Sequence, residues 1–165
     1  MNRRDILKYT ALATGAAVSA PLASMILSGC QAEEVDNYVP QFFTAEEFVV
    51  AKSMMNTILP KTDSPAATEV GVHRLMDKFV NEIFDTEKQV AYKEAFLALV
   101  MHLAENAGKS FEKLRPTQQL SALQTLEQSS DKALAELKST LVDFKQQTIA
   151  FYLTTEEIGK NYLNY

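Results

Sequence analysis

The chain has 165 residues and a formal net charge of −5 at pH 7, with 47% hydrophobic and 22% charged residues. This length fits one domain, and the composition is typical of an ordinary soluble globular protein. The acidic balance disfavours nucleic acid as a partner. The one cysteine excludes an intrachain disulfide, covalently attached haem and a cysteine-ligated iron–sulfur cluster.

Residues 1–29 have the pattern of a targeting segment, because a basic head precedes an uncharged run over residues 9–28. The stretch "NRRDILK" resembles the twin-arginine export motif, which routes folded proteins across a membrane. A permanent membrane-spanning helix is the alternative, but the many small residues of the run disfavour it. The residues predicted to carry the export signal are Arg3, Arg4, Ile6, Leu7 and Lys8.

The stretch "LSGC" resembles the lipobox of bacterial lipoproteins, so the mature chain is predicted to begin at an acylated Cys30. A free thiol at this position is the alternative. Residues 30–41 are polar and contain a proline, which is typical of a flexible tether. Several acyl chains on one cysteine anchor a protein firmly without a transmembrane helix. We therefore expect a domain on the periplasmic side of the envelope, on either the inner or the outer membrane.

The mature domain is predicted to be more acidic than the whole chain. Residues 1–29 hold three basic residues and one acidic residue, so 13 basic and 20 acidic residues remain, a net charge of −7.

Residues 42–165 are predicted to form a small bundle of about five helices. The first should begin at a capping box formed by Thr44 and Glu47, with Phe43 packed on Phe48, and should end before Pro60. The second should begin near Pro65 or Thr68. Its expected apolar face consists of Val72, Leu75, Met76, Phe79, Val80 and Ile83, and its expected polar face of Glu69, His73, Asp77 and Lys78.

The third helix is predicted to run from about Thr86 to Ala107, with Gly108 as its stop. Its expected buried stripe consists of Val90, Leu97, Val100, Met101 and Ala104. The fourth should begin near Pro116 and bury Leu120, Leu123 and Leu126. A serine cap in "QSSD" should begin the fifth, and Thr154 with Glu157 should cap a short terminal piece. No segment alternates with a period of two, so the predicted fold class is all-α.

No catalytic, cofactor-binding or metal-ligating residue is predicted in this chain. The glycines of the mature part are too far apart for a nucleotide-binding loop. Glu69, His73 and Asp77 recur every four residues and are the best metal candidate, but a solvated helix face explains them better. His102 fits a packing or helix-end role, and Asp63 and Ser64 fit a turn.

The stretches "FFTAEEFVVAKSMMNTILPKTDSPAATEVGVHRLMDKFV" and "FYLTTEEIGKNYLNY" resemble the gluconate 2-dehydrogenase subunit 3 family, with coverage of residues 42–165. The resemblance implies a complex in which an FAD-containing flavoprotein of the glucose–methanol–choline (GMC) type oxidises a sugar or sugar acid. A multihaem cytochrome c takes the electrons, and the small subunit escorts the folded flavoprotein through export. FAD and haem c are then expected in partner subunits. The alternative is a stand-alone helical lipoprotein that acts as an envelope adaptor.

The resemblance also indicates where a partner would bind. The loop from Lys61 to Gly71 and the final segment from Thr154 to Tyr165 are the expected contact regions. The predicted contact residues are Thr62, Asp63, Pro65, Glu69, Gly71, Thr155, Glu157 and Tyr162.

Overall fold

The computed structural model describes residues 37–163, so the predicted export signal and Cys30 lie outside the described residues. The described helices are α1 (Ala45–Ile58), α2 (Val72–Ile83), α3 (Thr86–Ala107), α4 (Pro116–Gln128), α5 (Ala135–Thr154) and α6 (Glu156–Asn161). Short 3-10 turns lie at Phe111–Lys113 and Lys132–Leu134. Residues 37–163 contain no strand, which confirms the all-α prediction. In this part of the chain, no helix combines the length and apolarity needed to cross a membrane.

Helix α1 begins and ends as predicted. The Thr44 backbone N–H donates to Glu47 Oε2 at 2.8 Å, and the Glu47 backbone N–H donates to Thr44 Oγ1 at 3.2 Å. The rings of Phe43 and Phe48 lie 6.5 Å apart across the helix start. These contacts satisfy backbone donors that no helical carbonyl could reach, and Pro60 prevents continuation of the helix.

Helix α2 departs from its prediction in both its start and its buried face. It begins at Val72, because the preceding residues close into turns and Gly71 adopts a left-handed φ of +80°. His73 and Asp77, expected on a polar outer face, are buried, whereas Leu75 and Ile83 are exposed. Val72, Met76 and Val80 are buried as predicted. The buried face also includes Asp77, because α2 packs against an N-terminal segment whose hydrogen-bond donors this carboxylate accepts.

That segment, residues 38–43, is held by one carboxylate and is here called the N-terminal strap. Asp77 is fully buried. Its oxygens accept hydrogen bonds from the Tyr38 hydroxyl at 2.7 Å, the Gln41 backbone N–H at 2.7 Å, and the N–H groups of Phe42 and Phe43 at 3.0 Å each. Burial and the bond to Asp77 raise the pKa of the Tyr38 hydroxyl. Residues 38–41, assigned to the tether from sequence, therefore contact the domain.

Helix α3 has the predicted bounds, with Gly108 in the left-handed conformation at φ +70°. Its predicted buried stripe was wrong at Val90 and Met101, which are 51% and 59% exposed, whereas Val100 packs against the core. Phe96, Leu99 and Leu103 enter the core instead. The helix carries apolar residues on two sides, so periodicity alone could not select the side that packs.

Helix α4 begins at Pro116 as predicted and buries Leu123 and Leu126, but Leu120 is exposed. The predicted serine cap of α5 was wrong. Asp131 Oδ1 accepts the Ala133 N–H at 2.9 Å within the preceding 3-10 turn, and α5 begins only at Ala135.

The second predicted capping box was also wrong. Thr155 is the N-cap of α6 but makes no side-chain capping bond there. The Thr154 hydroxyl instead donates to the Phe151 carbonyl at 2.8 Å, and the Thr155 hydroxyl donates to the Tyr152 carbonyl at 2.8 Å. Both hydroxyls bond back into the last turn of α5, because its final carbonyls lack helical donors.

Helix α5 is the central element, since it contacts each of the other five described helices. Its buried side chains are Leu141, Phe144, Thr148 and Tyr152. Phe144 meets Phe96 of α3 with ring centroids 5.8 Å apart, and Phe151 meets Phe79 of α2 at 5.3 Å. The C-terminal end of α5 thereby packs against α2.

Candidate partner-binding site

Both regions predicted to contact a partner meet at one end of the domain. The Tyr152 hydroxyl donates to the Pro65 carbonyl at 2.8 Å, and the Tyr162 hydroxyl donates to the Asp63 carbonyl at 3.1 Å. Residues 60–71 are called the connecting loop below, and residues 155–163 the C-terminal segment. The fold thus joins two regions that lie almost a hundred residues apart in sequence into one candidate surface.

The second half of the connecting loop is anchored in the domain. Ala67 is fully buried, and its N–H donates to the Leu59 carbonyl at 3.1 Å. The Thr68 N–H donates to Asn56 Oδ1 of α1 at 3.1 Å. Gly71 then reverses the chain into α2 with a backbone conformation that strains side chains other than glycine. This half therefore supplies a rigid base.

Glu69 braces the loop instead of lying on α2 as predicted. Its carboxylate accepts from Lys61 Nζ at 2.7 Å and from the Ala66 N–H at 2.7 Å. The hydrogen bond from Lys61 and that from Ala66 hold the pKa of the Glu69 carboxyl below its usual range. The charged form of Glu69 thus ties the exposed start of the loop to its buried end.

The tip of the loop is exposed at Lys61, Thr62 and Asp63. The Thr62 N–H donates to the Ser64 carbonyl at 2.9 Å, which closes a narrow turn as the sequence suggested. Within residues 37–163, no hydrogen bond or ion pair engages the Asp63 carboxylate, so it points a charge into solvent.

The C-terminal segment is held by one apolar side chain and one hydroxyl. Ile158 is 2% exposed and packs in the core, while Tyr162 is 45% exposed. Glu156 pairs with Lys160, and Glu157 is exposed. The predicted contact residues Thr155, Glu157 and Tyr162 therefore lie on a segment whose outer side faces solvent.

Exposed apolar side chains occur in the elements next to the two segments. Leu75 belongs to the first turn of α2, where its N–H bonds to the Gly71 carbonyl at 3.2 Å. Leu153 lies beside Tyr152, and Leu163 follows Tyr162. Leu75, Leu153 and Leu163 are each at least 38% exposed. The two segments and the helices next to them thus carry exposed apolar groups as well as the exposed carboxylates of Asp63 and Glu157.

Sequence reasoning missed Tyr152 and Ile158, which hold the site together. Both are buried apolar or aromatic residues, and periodicity could have marked Tyr152 as a core position of α5. That the Tyr152 hydroxyl reaches Pro65, 87 residues earlier, depends on tertiary packing.

The prediction that Glu69, His73 and Asp77 share one helix face was wrong. Glu69 precedes α2, so it does not share a helix face with His73 and Asp77. The Asp77 carboxylate is occupied by the N-terminal strap, and His73 is buried with its ring 5.4 Å from that of Phe48. Among the described residues, no group of three His, Cys, Asp or Glu side chains is placed to hold a metal.

His102 lies near the end of α3, within 3.1 Å of the Asn106 side-chain amide, which also donates to the His102 carbonyl at 2.8 Å. This local pairing fits the predicted helix-end role.

A cleft of ≈ 410 Å³ lies between α3 and α5, with Phe84, Tyr92 and Phe144 among its lining residues. The Tyr92 hydroxyl donates to Gln147 Oε1 at 3.1 Å and contacts Met76 Sδ at 3.4 Å. Burial, with a smaller contribution from Asp143, raises the pKa of Tyr92. The hydroxyl therefore stays protonated at neutral pH and is unsuited to act as a base.

Comparison with protein families matches residues 45–165 to the family described as gluconate 2-dehydrogenase subunit 3. The chain belongs to this family. The match to gluconate 2-dehydrogenase subunit 3 includes the whole connecting loop and the whole C-terminal segment. Comparisons with curated proteins and with solved structures returned no match.

Proposed function

We propose that this chain is the non-catalytic small subunit of a gluconate 2-dehydrogenase-like complex, which oxidises a sugar or sugar acid on the periplasmic side of the envelope. The family match over residues 45–165 carries the proposal. The catalytic partner is an FAD-containing flavoprotein of the GMC type, and a multihaem cytochrome c accepts its electrons. FAD and haem c belong to these partners and not to this chain.

The candidate surface has the composition that suits a partner subunit. Protein interfaces combine a central apolar or aromatic patch with a polar rim. Here Tyr162 and Leu163 supply exposed apolar area on the C-terminal segment, and the exposed carboxylates of Asp63 and Glu157 supply charge. A flavoprotein surface with apolar groups flanked by lysine or arginine would complement it.

The export signal gives the small subunit a second role as an escort. The twin-arginine pathway transports folded proteins, and a flavoprotein must fold around FAD before it can be exported with its cofactor. A flavoprotein without its own signal would cross the membrane bound to this chain. The small subunit then anchors it and stabilises the complex.

We further propose that the exported chain starts at an acylated Cys30 and is held at the membrane by its lipid. The "LSGC" stretch and the acidic tether behind it support this proposal. Mass spectrometry of the N-terminal peptide should find Cys30 with its acyl chains in the membrane fraction. An unmodified Cys30, or mature protein that retains Met1, would contradict it.

Purification of the native chain with an affinity tag tests the complex itself. The tagged chain is expected to bring down a flavoprotein with the absorbance spectrum of FAD and sugar-dependent reduction of a dye. The mature chain on its own should show neither, because in this proposal FAD and the catalytic site belong to the flavoprotein. Recovery of the lipoprotein without a flavoprotein would favour the stand-alone adaptor.

Charge reversal locates the contact surface in the same assay. The double substitution Asp63→Lys and Glu157→Lys should weaken flavoprotein binding by about tenfold or more, since like-charge contacts oppose association and about 1.4 kcal/mol corresponds to a tenfold change in affinity. The control is Glu94→Lys with Glu105→Lys on α3, which changes the net charge equally at exposed positions elsewhere. Equal affinities for the two double variants would exclude this surface.

A further inference from the structure

We infer that the Tyr162 hydroxyl and the Asp63 carbonyl form a reversible clasp that sets the shape of the connecting loop for partner binding. The inference rests on the proposed function for the identity of the partner. The clasp itself is a property of this chain alone. It consists of one hydrogen bond of 3.1 Å between residues 99 positions apart.

The two tyrosines that reach the connecting loop differ in their surroundings. Tyr152 is 8% exposed, lies on the central helix and fixes Pro65 at the base of the tip. Tyr162 is 45% exposed, lies beyond the end of α6 and reaches Asp63 at the tip itself. The base of the tip is therefore fixed by a buried contact, while the bond between the tip and the C-terminal segment is one that water can replace.

Helix α6 is too short to hold Tyr162 in place without tertiary contacts. It has six residues, and isolated helices of that length are unstable in water. Ile158 is its buried residue, so the chain after Ile158 can open without exposing the core. An exposed hydrogen bond favours the closed form by only about two- to tenfold.

Partner binding can therefore stabilise the closed clasp. A flavoprotein that contacts both Asp63 and Tyr162 binds the closed form better than the open form and shifts the population toward it. The connecting loop and the C-terminal segment should then become ordered together. The clasp acts by positioning the loop, and Tyr162 is a positioning residue.

Amide hydrogen exchange on the isolated mature chain tests the clasp. Tyr162→Phe removes one oxygen atom and should speed exchange at the Thr62 amide and at the Gly159, Tyr162 and Leu163 amides by about two- to tenfold. The melting temperature should change little, because the bond is exposed. Lys160→Gln is the matched control, since it removes a surface ion pair of α6 and leaves the Tyr162 hydroxyl in place. If the Thr62 amide of the Tyr162→Phe variant exchanges at the same rate as in the wild-type chain, the clasp is overturned.

The second measurement uses the wild-type chain with the purified flavoprotein. Exchange at Thr62 and at the amides after Ile158 should slow in parallel when the flavoprotein is added. Protection of only one of these regions, or of neither while the flavoprotein binds, would overturn the role of the clasp in binding. If the flavoprotein does not bind at all, the proposed function fails, and the exchange result for the isolated chain is unaffected.

Discussion

In cells that produce the chain with Arg3→Lys and Arg4→Lys, the dye-linked sugar dehydrogenase activity is expected to move from the periplasm to the cytoplasm. Lysine keeps both positive charges but lacks the planar, forked donors of the guanidinium group, so the export receptor should no longer recognise the pair. The small subunit should stay inside. The flavoprotein should stay with it, loaded with FAD, although its own sequence is unchanged.

Fractionation of the cells with an activity assay in each compartment makes this measurement, and periplasmic activity should fall by about tenfold or more. Asp5→Asn is the matched control, because it alters a neighbouring side chain and keeps the arginine pair. A normal level of flavoprotein in the periplasm of the double variant would contradict the escort role. The stand-alone lipoprotein would then be the better account.

Asp77→Ala is expected to be the most destabilising single substitution considered for the folded domain. It removes the acceptor for the Tyr38 hydroxyl and for three backbone N–H groups of the N-terminal strap. Buried donors without acceptors are costly, so the free energy of unfolding should fall by about 3–5 kcal/mol. Urea unfolding of the mature chain, followed by circular dichroism, measures the change.

Glu82→Ala is the control for Asp77→Ala, because Glu82 lies on the same helix and is exposed. Its effect should stay within about 0.5 kcal/mol. For Asp77→Asn, the loss in free energy of unfolding should lie between those of Asp77→Ala and Glu82→Ala. The amide oxygen still accepts hydrogen bonds, but the amide nitrogen faces donors. A loss of less than about 1 kcal/mol in Asp77→Ala would show that the strap does not depend on this carboxylate.

The sequence by itself determined the features that depend on neighbouring residues. Thr44 and Glu47 are three positions apart, and their capping box fixed the start of α1. Gly108 fixed the end of α3 through its left-handed φ. The absence of alternating segments determined the all-α class. Family resemblance also indicated the connecting loop and the terminal segment, which the family match includes.

The tertiary structure decided which faces pack and which distant segments meet. Periodicity placed Asp77 on an outer face, but burial of the N-terminal strap required an acceptor and turned this carboxylate inward. Periodicity also failed to identify the buried side of α3, where Phe96 and Leu99 are buried and Val90 and Met101 are exposed. The contacts of Tyr152 with Pro65 and of Tyr162 with Asp63 span 87 and 99 residues. A local pattern carries no information on such pairs, because their free energy depends on how all the helices pack around α5.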